Sequence, residues 1–560
     1  MRKDLHSKAR ARLARERSRI VADSAAAVRV ALAYPNVYRV GMASLGFQIV
    51  YEMLNALPDV SCERAFLPDP SDLLEHDRTR TELFTLESLS PLARFDVVAF
   101  SISFELDCLN VLRMLRLANI PLRSRDRDES RPLIIAGGPC PTFNPEPMAE
   151  FIDAFVIGEA ENVLQGLTET ILTERRDRDR LLEALARVPG VYVPRLYAPR
   201  YGVSGEYRGV EALPPAPHSV VRSVARDLST HPASSSVRTP DAEFGDLDLV
   251  EVGRGCGRQC RFCVAGYVAR PPRFREIGQI PAGDRLGLVG AAVFDRPDAA
   301  DLCERIVEAG REFTVSSVRL ETVTPQLARL MARGGQKTLT IAPEAAADRL
   351  RAVINKCATD EQVFAAVAAA RDAGIRRVKL YFMIGLPLET DEDVNAICGL
   401  ARRLTDAFPE TEFHFSVSSF VPKPWTPFQW HPMAPEDEIK RRFSLIRRGL
   451  TRAGRVELSG ESPRLAAVQG LLARGDRRLA DVLVAALAYG GDYRAALRET
   501  GVDSDSYLRR PHERDEVLPW DHIDARISKD YLWNEYQKAL RREPTQPCEV
   551  GACWACGVCC

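Results

Sequence analysis

The chain has 560 residues, 46% of them apolar and 27% charged, with a net charge near −1. That length implies several domains. Near neutrality excludes wholesale coating of nucleic acid, and no apolar run reaches the roughly 18 residues that a bilayer span needs. Residues 1–19 carry eight Lys/Arg against two acids, and no apolar stretch with a small-residue cleavage site follows. The opening, 1–26, therefore reads as a solvated basic helix rather than a secretory signal, with an RNA or partner contact as the other reading. The expected location is cytoplasmic.

From Val28 onward, short apolar runs alternate with helical stretches. VRVALAY, FDVVAFSIS, RPLIIAGG and AFVIGEAE read as strands, with GFQIVYEMLNAL and LNVLRMLRLA as helices between them. This repetition predicts a doubly wound, Rossmann-like α/β domain over 27–190, its ligand crevice at the carboxyl ends of the strands. Residues 172–187, rich in Arg and Asp, read as a solvated helix, and 191–243 as a linker.

A second βα series spans 244–454. LDLVEV, RLGLVG, FTVSSVRL, KTLTIA, RVKLYFMIG and EFHFSVSSF supply six strands, which suit a partial (β/α)6 TIM-type barrel. A helical C-terminal domain is expected over 455–545 and a cysteine-rich tail over 546–560.

Fourteen cysteines are many for packing alone, and eight of them fall in two groups, 256–263 and 548–560. Clustered thiols in a long, loop-poor chain point to metal or Fe–S ligation. Cys62, Cys108, Cys140, Cys303, Cys357 and Cys398 are scattered and read as core packing. In EVGRGCGRQCRFCVAGY, Cys256, Cys260 and Cys263 form C-x3-C-x2-C directly after the first barrel strand. Three thiolates so spaced can ligate three irons of a [4Fe–4S] cube and leave the fourth open. A structural zinc site normally takes four protein ligands, and no fourth Cys or His stands nearby.

On these residues the chain resembles the radical S-adenosylmethionine (SAM) superfamily, in particular its cobalamin-binding-domain branch, from about residue 28 to the C-terminus. The resemblance implies that SAM chelates the open iron and is cleaved to a 5′-deoxyadenosyl radical. It implies adenine contact at Phe262, and amino-group binding by the degenerate Leu288-Val289-Gly290-Ala291. Glu344 and Arg349 of APEAAADRLRAVINK match the acidic segment that closes the fourth strand. Ile384, Gly385 and Pro387 of FMIGLPLETDED should line the adenine side, and Val421–Phe428 resembles the sixth-strand exit. Each has a plainer alternative: Gly290 permits a tight turn, and Glu344 caps the following helix.

In the N-terminal domain, the family's D-x-H-x-x-G loop reads Asn36-Val37-Tyr38-Arg39-Val40-Gly41, with Tyr38 where the cobalt-ligating His would stand. Ser101 and Ser103 end a strand, followed by Gly137-Gly138 and then Gly158-Glu159, in the family's order. The resemblance therefore implies bound cobalamin without a His ligand; a vestigial packing domain is the alternative.

The tail, PCEVGACWACGVCC, sets Cys548, Cys553, Cys556, Cys559 and Cys560 within thirteen residues. C-x2-C-x2-C is a ferredoxin run, so a second Fe–S cluster is expected here, with zinc or an unligated redox tail as alternatives. ARGDRR (473–478) and LPWDHID (518–524) match a poorly characterised subfamily; the former reads as a solvated helix end or an anion or RNA contact.

The function expected is cobalamin-dependent radical methyl transfer to an unactivated carbon. Non-methylating rearrangement or sulfur insertion is the second reading, and a SAM- or cobalamin-sensing regulator or electron-transfer module the third. A low-potential donor such as flavodoxin or ferredoxin is the expected partner. The substrate class, whether RNA, peptide, lipid or small molecule, is left open by the sequence.

Overall fold

The computed structural model describes residues 2–18, 20, 26–280, 283–356, 358–451 and 456–558. Cys357, Cys559 and Cys560 lie outside the described residues. The chain forms two units: Met1–Leu247 with Leu471–Tyr507 and Asp515–Arg526, and Asp248–Gly470 with Leu508–Arg514 and Ile527–Cys560. The stretch expected to be one C-terminal domain over 455–545 is thus shared between them. Among the described residues no helix is long and apolar enough to cross a membrane.

The first unit is built on six strands: β1 (Val28–Tyr34), β2 (Val60–Phe66), β3 (Val97–Ser101), β4 (Leu133–Gly137), β5 (Ala154–Val156) and β6 (Val191–Tyr192). Their order is β2-β1-β3-β4-β5-β6, parallel except for β6. Helices cover both faces, so these strands are apolar almost without alternation. β2 escaped the sequence reading because its middle is Cys62-Glu63-Arg64. All seven of its residues are nevertheless buried. Arg64 is neutralised by Glu16 and Glu87, and Glu63 accepts from Thr85 and Ser88.

Three other expectations need correction. The basic helix Arg2–Leu13 is packed rather than free: Leu5 and Ala9 are buried, and Lys8 and Arg12 pair with Asp72 and Asp69. The charged stretch near 178 buries Leu181, Leu182 and Leu185 on one face of the helix Arg178–Leu185. The linker contains a hairpin, Tyr197–Tyr201 with Tyr207–Ala212.

The second unit carries β7 (Asp248–Glu251), β8 (Arg285–Val289), β9 (Glu312–Val315), β10 (Thr338–Glu344), β11 (Arg377–Ile384), β12 (Glu412–Ser419) and β13 (Val456–Gly460). Two parallel sheets, β7-β8-β9 and β10-β11-β12-β13, are joined by a parallel bridge between Val318 and Ile341. The six expected barrel strands are present, with β13 added as a seventh parallel strand. Thr324 and Thr359 cap the helices Pro325–Arg333 and Asp360–Asp372, the latter through a capping box with Gln362. In β11, Val378, Leu380, Phe382 and Ile384 belong to the apolar core with Val363, Val394 and Ile439 of the surrounding helices. Lys379, Tyr381 and Met383 alternate with them and face the barrel lumen, half-buried or exposed.

Candidate active site

The cysteine loop leaves β7 through the two-residue strand Gly253–Arg254, which pairs antiparallel with Arg273–Phe274. Gly255 makes the turn at φ 79°, where a Cβ would come within 2.2 Å of the Ala269 carbonyl oxygen. Cys256 and Cys263 are half-buried and Cys260 is buried. The Arg258 N–H donates to Cys256 Sγ at 3.4 Å, and the Gly266 N–H donates to the Cys263 carbonyl oxygen at 3.1 Å.

Burial pushes Cys263 up to about 11, with the neighbouring Cys260 and Cys256 acting in the same direction. Cys256 is likewise raised, first by burial, against the pull of the Arg258 N–H. Thiols grouped this way give up their protons together only to a metal centre. Among the described residues no three His, Cys, Asp or Glu side chains close on a single metal ion. The ligands of a cube bind different irons and stand apart. The trio, with its N–H···S bond to Cys256, fits a [4Fe–4S] cluster.

Around this loop the carboxyl ends of the strands carry a ring of charges that sequence reasoning missed. Arg258 Nε donates to Asp295 at 2.8 Å, and Arg319 reaches Glu321 at 2.9 Å. Arg319 Nε and Asp295 Oδ1 face each other as an ion pair at 3.5 Å, and Glu321 Oε2 is buried without a hydrogen-bond partner. Buried charges of both signs, with one carboxylate oxygen free of hydrogen bonds, suit a zwitterionic ligand such as the amino-acid end of SAM. Lys356 stands 3.7 Å from Glu344. Burial opposes the charge of Lys356, but Cys260 and then Glu344 outweigh it, so its pKa is raised.

The predicted SAM contacts are brought only partly together. Glu344 sits at φ 67° after a register shift in β10 that begins at Ile341, a strained conformation of the kind found at ligand sites. Phe262, Val289 and Gly290 are half-buried, and a Cβ on Gly290 would come within 3.1 Å of the Gly253 carbonyl oxygen. Gly385, at φ 84°, donates its N–H to Glu389 Oε2 at 2.6 Å, and Pro387 is buried beyond it. Two placements differ from expectation. Ile384 is a core residue at 1% exposure, and the strand's alternation puts Met383 on the lumen side instead. Arg349 is engaged by the loop after β11, donating to Leu388 O and Thr390 Oγ1 and pairing with Asp393.

At the carboxyl edge of the first unit, Ser101, Ser103, Gly137 and Gly138 are half-buried at the ends of β3 and β4. Gly138, at φ 106°, packs so closely that a Cβ would come within 2.8 Å of the Ile102 carbonyl oxygen. The neighbouring hollow, lined by Ile102, Cys108, Cys140, Phe143, Met148 and Leu472, has about 10 Å³ of room for water. Asn36 Nδ2 donates to Asp107 at 3.0 Å, and Asn110 donates to both Pro35 O and Asp107. Tyr38 is 2% exposed and donates to Glu16 at 2.5 Å, while Gly41 lies against the Phe66 ring. Gly158 is bridged by Ser223, and Glu159 accepts from the Ala225 N–H at 2.7 Å. Ser101, Ser103, Gly137 and Gly138 thus leave the ends of β3 and β4 partly open. Residues 36–41 offer no ligand to a metal, and 158–159 are covered by the chain's own 223–225.

ARGDRR is structural, not solvated. Arg474 and Asp476 are buried, and Arg477 forms two bonds to the buried Glu146 carboxylate beside Tyr192.

Residues 46–194 match the family model "Radical SAM proteins, N-terminal", and residues 250–401 match "Radical SAM superfamily". The chain carries radical SAM domains, and it is a radical SAM enzyme. It is 28% identical, over 81% of its length and 90% of the relative's, to an uncharacterized protein of Methanocaldococcus jannaschii. It is 26% identical to an uncharacterized methyltransferase of Pyrococcus horikoshii, over 48% of this chain and 58% of that one. Among solved structures it is similar to TsrM of Kitasatospora setae, a radical SAM methyltransferase with cobalamin and a [4Fe–4S] cluster bound. That match has a TM-score of 0.47 and 17% identity, over 73% of this chain and 76% of that chain. The cobalamin-dependent radical SAM enzyme OxsB gives a TM-score of 0.47 and 17% identity, over 68% and 52% of the two chains.

Proposed function

We propose that this radical SAM enzyme transfers a methyl group to an unactivated carbon, with cobalamin as the methyl carrier. The observation that carries the radical chemistry is the cysteine trio, with an N–H···S bond to Cys256, on the loop that follows the first strand of the second unit. The methyl transfer is supported by the sequence resemblance and by the relative from Pyrococcus horikoshii named a methyltransferase. Cys256, Cys260 and Cys263 would hold the cluster, which when bound supplies the electron that cleaves SAM. Lys356 and Glu344, with Asp295, Arg319 and Glu321, would bind and orient the charged end of SAM, and the half-buried lumen face of β11 and β12 leaves room for substrate. Ser101, Ser103, Gly137 and Gly138 would underlie the corrin.

Anaerobically reconstituted protein with a low-potential reductant is expected to convert SAM to 5′-deoxyadenosine and methionine. The triple variant Cys256→Ala/Cys260→Ala/Cys263→Ala is expected to form none; undiminished cleavage would overturn the cluster assignment. Mass spectrometry of RNA and metabolites from cells with and without the protein tests the methyl transfer. A product that gains sulfur or a ring, with no added methyl, would reject it.

A further inference from the structure

The cysteine-rich tail returns to the cysteine loop inside the second unit, and it does so at three points. The Cys548 N–H donates to the Gly257 carbonyl at 2.7 Å, and a Cβ on Gly257 would lie 3.8 Å from Cys548 Cβ. Thr545 and Asn355 exchange hydrogen bonds at 2.9 and 3.0 Å, while Asn355 also donates to the Gln259 carbonyl at 3.1 Å. Cys556, 2% exposed, is hydrogen-bonded by Arg270, whose guanidinium donates to the Gln259 side chain at 2.5 Å. The Ser528 N–H, at the start of the helix Lys529–Arg541, donates to the Cys556 carbonyl at 3.0 Å. Gly257 and Gln259 lie between the ligands Cys256 and Cys260, so the tail touches the segment that would wrap the first cluster.

Val550 and Trp554 are 55% and 56% exposed, and among the described tail residues only Cys556 and Val558 are buried. A segment this short, with two exposed apolar side chains, gains too little from burial to offset the entropy of its ordering. Three cysteines spaced x4 and x2, with Cys559 and Cys560 following in sequence, supply the missing cross-link once they share a metal. Thiolate-only ligand sets select zinc or iron–sulfur. The contact with a redox loop favours the centre that can pass an electron.

We infer that Cys548, Cys553 and Cys556 hold an iron–sulfur centre seated against the Cys256–Cys263 loop, and that electrons enter the enzyme through it. The balance is one electron. A reduced flavodoxin or ferredoxin gives it to the tail centre, the tail centre gives it to the first cluster, and it is consumed in breaking the sulfonium C–S bond of SAM to methionine and the 5′-deoxyadenosyl radical. The exposed Trp554, between Cys553 and Cys556, is the apolar contact such a donor would meet. The inference rests on the radical SAM reading of the first cysteine group and is independent of methyl transfer.

The test uses the full-length chain, reconstituted anaerobically, and its variant Cys548→Ser/Cys553→Ser/Cys556→Ser. Wild type is expected to hold about eight irons, or about six with a two-iron centre, against about four in the variant. In the reduced wild type, electron paramagnetic resonance should show two signals that broaden each other, a readout that needs no variant. Reduced flavodoxin should drive SAM cleavage roughly tenfold or more slowly in the variant, while dithionite drives both alike. About four irons and one zinc in wild type would overturn the inference. So would flavodoxin-driven cleavage equal in the two proteins. Loss of dithionite-driven cleavage in the Cys256/Cys260/Cys263 variant, with the tail signal retained, keeps the two assignments separate.

Discussion

Arg261 and Glu535 meet at 3.3 Å with 0% and 1% of their side chains exposed. Arg261 stands between Cys260 and Phe262, and it also donates to the carbonyls of Ala352, Val353 and Glu543. One guanidinium thus ties the cluster loop to the C-terminal helix Lys529–Arg541. Replacing it with Met leaves Glu535 buried with only Lys538 and Thr545 as partners. Arg261→Met should cost about 3 kcal/mol in urea unfolding, because a buried carboxylate loses one of its two cationic partners. Arg261→Lys should recover little of it, since an ammonium cannot spread five donors over five acceptors. The double variant Arg261→Met/Glu535→Met should be milder than the single one. A single variant within about 1 kcal/mol of wild type would show that the pair holds nothing together.

Glu344 and Lys356 should act on SAM rather than on the cluster. Glu344→Gln preserves the side chain's shape at its left-handed position but removes the charge that Lys356 faces. Lys356→Met removes the cation. Each is expected to weaken SAM binding roughly tenfold, which is about 1.4 kcal/mol, with iron content unchanged. Equilibrium dialysis with labelled SAM and an iron assay on the same sample check this. A fall in iron parallel to the fall in SAM would mean that the pair supports the loop instead.

The cysteine loop was legible because its information is local: three thiols and three glycines within eleven residues of one strand end. The charge ring was not. Asp295 follows β8, Arg319 and Glu321 follow β9 and Lys356 follows β10, so they come together only when those three strands assemble. Parity explains the exchange of Ile384 for Met383, since a one-residue shift reverses the face that a strand residue presents. β2 was hidden by Glu63 and Arg64, which read as surface and are buried as paired charges. The split of the C-terminal region could not be read from its helical periodicity. That pattern reports that a helix has an apolar face, not which unit the face is buried against.

Asp107 gives a pH dependence whose sign can be stated. Burial pushes its carboxyl up to about 6, against the donors Asn36 and Asn110. The unfolded chain loses this proton near pH 3.9, so between there and about 6 the folded state binds more protons. Stability contributed by the neutral carboxyl is complete below the lower value and is lost as pH rises through the upper one. Both amides donate to Asp107 Oδ1, which an Asn would keep as its carbonyl oxygen. Asp107→Asn should therefore be more stable than wild type at pH 7.5, by about 2–3 kcal/mol, and equal to it near pH 4. Thermal or urea unfolding at the two pH values checks it. A variant less stable at both would mean that the ionised carboxylate is favoured in place.

Cobalamin bound to the first unit should carry no protein nitrogen on cobalt. By the sequence resemblance Tyr38 stands where the family's His would, and its hydroxyl is committed to Glu16 with the ring packed edge-on to Phe66. Burial, followed by the Glu16 charge, raises the Tyr38 pKa, so the phenolate that could bind a metal is not formed at working pH. In the same unit, His76 bonds Thr81 O, and His522 is buried against Tyr192 and Tyr197, with burial lowering its pKa to about 4. Either of these two imidazoles would have to leave its packing to reach the edge of β3 and β4; His6, His218 and His231 are the unit's other histidines. The electron paramagnetic resonance spectrum of protein reconstituted with Co(II) cobalamin should accordingly lack splitting from a protein imidazole. It should be unchanged in Tyr38→Phe, which keeps the ring and drops only the bond to Glu16. Imidazole splitting in wild type would show that a distant histidine does reach the metal. Failure to retain any cobalamin after reconstitution would remove the cofactor from the proposed function and leave the edge residues with a packing role alone.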